Sequence, residues 1–180
     1  GFNSNMHNNF PKKFYLINAF RKNNIDKLDN NTGIIYRNYR KKLNIIEIIK
    51  IRDYCKSKRL KIFLANNIKI ALKLRLNGSY LPAFNKSFRH LNYKFNDTFV
   101  LLGSAHNIKE IRRKEDQNVN FIFISSVFKK NKNYLGIYKF RKLRNLTQRK
   151  VIALGGISKN NSKKIILLDC HGFSGISYFE

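Results

Sequence analysis

Tryptophan is absent from this 180-residue chain, proline and cysteine occur twice each, and Asp and Glu together number ten. Each scarcity excludes something. Ten carboxylates scattered from Asp26 to Glu180 leave little material for the paired acids of a general acid–base enzyme. Cys55 and Cys170 lie far apart in apolar surroundings and read as reduced packing residues, not as a disulfide or a metal pair. No Cys/His cluster has metal-ligand spacing, and no Ser/His/Asp set can be assembled, so no metal site and no catalytic residue are assigned. His7 and His90 read as surface residues, and His171, in a turn, as structural. No apolar run approaches the roughly 18 residues of a membrane span. The opening GFNSNMHNNFPKK has no apolar signal core. A cytoplasmic location and no membrane partner are expected.

What the chain has in excess is positive charge, with 37 Lys and Arg giving a formal +27. Such a balance points towards nucleic acid or another anionic partner. Lys, Asn, Ile, Phe and Tyr are abundant together, however, and all have AT-rich codons, so genome composition is an alternative source of the bias, though it explains the plentiful Arg less well. The clusters YRNYRKK, KEIRRK and KFRKLRNLTQRK are spread along the chain and read as solvated faces. Weak, non-specific nucleic-acid binding is the expectation, with a homo-oligomer left open.

Apolar runs of strand length recur with helical spacing between them. The strands are FYLINAF (14–20), GIIYR (33–37), KIFLAN (61–66), GSYLP (78–82), FVLLG (99–103), NFIFISS (120–126), KVIALG (150–155) and FSGISYF (173–179). Helical segments alternate with them. In LNIIEIIKIRDYCKSK (43–58), Ile45, Ile46, Ile49 and Tyr54 form the expected apolar stripe. Eight near-continuous apolar strands alternating with helices predict an α/β fold, a compact (β/α)8 TIM barrel over 14–180. Its last helix is short or missing, the place left to an N-terminal segment, 1–13.

In such a barrel the ligand site lies at the βα loops, and phosphate commonly sits after strands seven and eight. VIALGGISKNN (151–161) stands there. Gly155, Gly156 and Ile157 follow the seventh strand, and the two glycines let the backbone approach a ligand. Ser158, Asn160 or Asn161 is placed to cap a helix over SKKIILLDC, whose N-terminal N–H groups would complete a phosphate cradle.

Five segments in register resemble the thiamine-phosphate synthases and their thiazole tautomerase relatives. LLGSAHNIKE is similar to that family's IG-S-x-H…E segment, and NFIFISSVFKKNK to its sixth strand and phosphate loop. VIALGGISKNN, GFSGIS and LANNIKIALKLRLNGSYLP resemble three further family segments. The resemblance implies the same barrel, joining a pyrimidine pyrophosphate to a thiazole phosphate with Mg²⁺. It places Arg37, Arg40, Asn66, Ser104, His106, Lys130 and Lys132 at the pyrophosphate and pyrimidine, and Gly155 and Gly156 at the thiazole phosphate. The family's metal-binding Asp residues correspond to Asn67 and to the neighbourhood of Asn85 and Lys86, and its Thr-x-Thr loop to Lys130, Asn131 and Lys132. Mg²⁺ would then come only with the substrate's own pyrophosphate. The alternatives are a barrel that holds a phosphorylated ligand without turnover and, behind it, a basic nucleic-acid-binding protein.

Overall fold

The computed structural model describes residues 10–39 and 42–180. His7 and Arg40 lie outside those residues. Eight parallel strands close into a barrel in sequence order: β1 (Lys13–Ile17), β2 (Thr32–Tyr36), β3 (Lys61–Ala65), β4 (Gly78–Leu81), β5 (Val100–Ala105), β6 (Phe121–Ile124), β7 (Lys150–Leu154) and β8 (Gly172–Gly175). β1 completes the ring by pairing with β8, Lys13 opposite Phe173. The expected (β/α)8 topology is the observed one.

Five α-helices cover the sheet: α1 (Lys22–Ile25), α2 (Ile45–Ser57), α3 (Ile68–Lys73), α4 (Ile108–Asp116) and α5 (Gly136–Arg144). The abundant asparagine has a structural use here. Asn44, Asn67 and Asn107 each stand at the N-cap of α2, α3 or α4 and accept the N–H three residues on. No helix among the described residues is long and apolar enough to cross a membrane.

Two apolar layers result. Outside the sheet, strand residues such as Ile34, Ile62 and Ile122 pack against Ile48, Ile51, Cys55 and Ile111 of the helices. Inside it, Phe14, Phe63, Phe121, Phe123 and Tyr80 fill the barrel. Gly33 makes room for them, because a Cβ there would lie 3.0 Å from the Phe14 ring.

Several expectations are corrected. The buried face of α2 is Ile48, Ile51 and Cys55, whereas Ile46 is 81% exposed. SKKIILLDC forms a 3-10 segment, Ser162–Leu168, without a side-chain cap. His90 is buried, its Nε2 2.8 Å from the Gln117 carbonyl oxygen. Of the expected N-terminal segment 1–13, residues 1–9 lie outside the described residues. Phe10 enters the N-terminal end of the barrel and stacks on Phe121, ring centroids 4.4 Å apart.

Candidate anion site at the barrel mouth

The C-terminal strand ends deliver their loops to one mouth. After β7 the chain turns through Gly155 (φ +106°) and Gly156 (φ +73°), both in the region that L side chains rarely adopt. Their bareness has a second cause. A Cβ on Gly155 would sit 2.4 Å from Ser126 Oγ, and one on Gly156 2.5 Å from the Lys129 nitrogen. The loop after β6 therefore lies directly on the turn. Phe128 and Lys129 N–H donate to the Gly155 carbonyl (2.9 and 3.2 Å), and Val127 N–H to that of Leu154 (3.0 Å).

Asn161 does not cap the 3-10 segment. Its Oδ1 accepts the Ser158 N–H at 2.9 Å and its Nδ2 donates to the Gly156 carbonyl at 2.8 Å, latching the turn. The N–H groups of Gly155, Gly156 and Ile157 have no acceptor among the described residues. Three successive amides without internal partners, in a turn of positive φ, leave backbone donors of the kind an anion accepts. They belong to the turn and not to the 3-10 segment that follows it.

Of the other expected residues, those that are described lie at the C-terminal ends of the strands or on the loops that follow them. Arg37 leaves β2, tied by its N–H to the Ile17 carbonyl at 2.7 Å, and its charge acts on the phenols of Tyr39 and Tyr80. Tyr80, which sequence reasoning did not select, closes the top of the barrel interior. Burial pushes its phenol up, while the Ser104 hydroxyl beside it and Arg37 oppose this. His106 follows β5 and is fixed by Glu110, whose Oε2 lies 2.9 Å from Nδ1 and accepts the His106 backbone N–H at 2.7 Å. Lys130 and Lys132 are exposed on the loop after β6. Asn131 between them shapes that loop by accepting the Asn133 N–H at 2.8 Å.

The Mg²⁺ implied by the resemblance can be tested on the donor set. Asn67 Oδ1 is taken by the α3 cap, accepting Ile70 N–H at 3.1 Å. Asn66 Oδ1 accepts Asn85 Nδ2 at 2.7 Å, and Asn85 Oδ1 accepts Ser87 N–H at 2.9 Å. Each amide oxygen where a cation would bind is engaged, no carboxylate stands among them, and the described residues hold no His/Cys/Asp/Glu group of three or more that suits a metal. Mg²⁺ needs a near-octahedral oxygen shell with carboxylate support. These residues do not fit it.

Behind this amide pair lies a buried cluster that the sequence did not disclose. Lys114 is fully buried, with Nζ 3.0 Å from the Asn85 carbonyl and 2.7 Å from Gln117 Oε1. The one available signal was spacing: Lys114 stands three residues after the buried Ile111, on the inner side of α4.

Fold and mouth together define a (β/α)8 barrel whose polar groups gather at the C-terminal strand ends. Residues 29–179 match the thiamine monophosphate synthase family, and the chain belongs to that family. Among curated relatives, a thiamine-phosphate synthase of Methanococcus vannielii is 24% identical over 119 residues, 64% of this chain and 57% of that protein. One of Caldanaerobacter subterraneus is 23% identical over 133 residues, 72% of this chain and 61% of that protein. The chain thus spans less than two thirds of either relative. The solved structure of thiamine phosphate pyrophosphorylase from Pyrococcus furiosus superposes with a TM-score of 0.76 at 17% identity, covering 96% of this chain and 88% of that one.

Proposed function

We propose that the mouth of this barrel binds a phosphorylated thiamine precursor, the thiazole phosphate or the pyrimidine pyrophosphate, through N–H groups and cations instead of a protein-held metal. The observation that carries this reading is the set of unengaged N–H groups at Gly155, Gly156 and Ile157, beside the loop bearing Lys130 and Lys132. Phosphate oxygens accept such donors, and a backbone turn held by its own hydrogen bonds presents them without reorganisation. Arg37 adds a planar fork suited to a phosphate edge, and the two lysines act as mobile point charges. Joining the two precursors releases pyrophosphate, and Arg37, Lys130 and Lys132 would take up its charge.

A second reading is a barrel that holds its ligand without turnover. The amides of Asn66, Asn67 and Asn85 favour it, since their oxygens already accept N–H groups and no carboxylate stands among them to hold a catalytic metal. Incubation with both precursors, in Mg²⁺ and in EDTA, separates the two. Thiamine phosphate formed in either condition supports joining. Calorimetric binding of a precursor without product supports the holding barrel. Neither product nor binding overturns both readings.

A further inference from the structure

We propose that Lys114 and Gln117, buried behind the loop after β4, act through Asn85 to leave the Asn66 side-chain N–H₂ group free at the mouth, so that this position meets pyrophosphate as a donor and does not serve a divalent cation as an acceptor. The proposal rests on the reading of the mouth as an anion site and adds the residues that set its polarity.

The argument follows donors that have no alternative. A backbone N–H only donates, so the Ser87 N–H at 2.9 Å fixes the Asn85 atom it meets as the oxygen. The other end of the Asn85 amide is then the N–H₂ group, which donates to Asn66 at 2.7 Å. That contact makes the Asn66 atom the oxygen in turn, and Asn66 Nδ2 has no acceptor among the described residues. Asn66 is exposed at the C-terminal end of β3, in the left-handed conformation (φ +60°), with its own N–H donating to the Tyr80 carbonyl at 2.8 Å.

The buried cluster enforces the same orientation from behind. An ammonium has three donors and no acceptor, so Lys114 Nζ selects the Gln117 oxygen at 2.7 Å. Gln117 Nε2 is thereby aimed at the loop, donating to the carbonyls of Ser87 (2.9 Å) and Asn85 (3.1 Å) and lying 3.3 Å from Asn85 Oδ1. Lys114 also donates to the Asn85 carbonyl, which fixes the residue's backbone. Room for the lysine stem is built in, because a Cβ on Gly103 would come within 2.8 Å of Lys114 Cδ. Lys114 forms no ion pair among the described residues. Its charge is spent on carbonyl and amide oxygens, the arrangement that sets the direction of a neutral network.

Lys114, Gln117 and Asn85 are positioning residues, and the test reads coupling through Asn66. Asn85→Asp has only acceptors facing Asn66, so Asn66 must donate inwards and expose its oxygen. Sodium pyrophosphate is titrated calorimetrically in EDTA. The wild type is expected to bind, and Asn85→Asp to lose about tenfold in affinity. In an Asn66→Ala background the same change should cost only the smaller penalty of the added charge. Lys114→Met should follow this pattern, with Asn85→Asp as the independent variant where Met at 114 lowers the yield of folded barrel. Equal losses in both backgrounds overturn the proposal. Wild-type binding only in Mg²⁺ overturns it while leaving the anion site standing, whereas no binding in either condition removes both.

Discussion

Gly155 answers to two constraints at once, a positive φ and the Ser126 side chain, and the two can be separated. Gly136 shares the positive φ (+66°), but the nearest atom to a Cβ there is 3.3 Å away, at the end of the Tyr134 side chain. Gly136→Ala should therefore cost about 1 kcal/mol from backbone strain alone. Gly155→Ala, with backbone and side chain of Ser126 within 2.9 Å, should cost more than about 2 kcal/mol by urea unfolding. Equal costs would show that the loop after β6 yields freely. Lys114 makes a second prediction at this scale. Desolvation, with Arg113 adding to it and Glu110 opposing, lowers its pKa to about 8. The buried His90 touches the same Gln117. Because the folded value lies below the ordinary 10.5, the unfolded chain binds the extra proton between pH 8 and 10.5. Stability relative to Lys114→Met should rise across that window by roughly 3 kcal/mol and stay flat below it. A flat difference over the whole range would contradict the buried charge.

At the scale of elements, strands such as β2, β3 and β6 were legible because they are apolar runs buried on both faces, as a covered parallel sheet requires, whereas β8 is the short GFSG and ends at Gly175 instead of 179. The face of α2 was not. Ile45, Ile46, Ile48, Ile49 and Ile51 are too many apolar positions to select one stripe, and the barrel selects Ile48 and Ile51. Ile48→Ala should cost about 2–4 kcal/mol, whereas Ile46→Ala should stay within about 0.5 kcal/mol, both read by chemical denaturation. A larger loss at Ile46 would reverse this assignment. In the candidate site, the glycine turn was visible because two adjacent glycines after a buried strand mark a bare backbone, while its packing against Ser126 and Lys129 shows only in the fold. The direction of the Asn66 amide was invisible. It depends on Ser87, Gln117 and Lys114, which reach it only through the folded loop, and in KEIRRKED only the three-residue spacing from Ile111 sets Lys114 apart from Lys109.

At the scale of the whole molecule, the charge of +27 has two locations to consider. One is the mouth. The other is a groove of about 550 Å³ at the opposite end of the barrel, lined by Arg52, Lys56, Arg59, Lys61 and Arg75 around a single acid, Asp53. The stretch YRNYRKK offers less for base stacking than its composition suggests, because Tyr36 is buried with its hydroxyl on Glu47 and only Tyr39 is exposed. Single-stranded nucleic acid should therefore bind weakly and without sequence preference, and the binding should vanish near ~0.15 M salt. Sub-micromolar binding of a defined sequence at that salt would instead make the basic surface the function. The central claim, that the mouth takes a phosphorylated precursor without a metal, is tested most directly by amide chemical shifts. Thiazole phosphate titrated into the ¹⁵N-labelled chain in EDTA should move the resonances of Gly155, Gly156 and Ile157 most, and saturably. Unmoved resonances at these three amides, with the precursor bound elsewhere or not at all, would contradict the account.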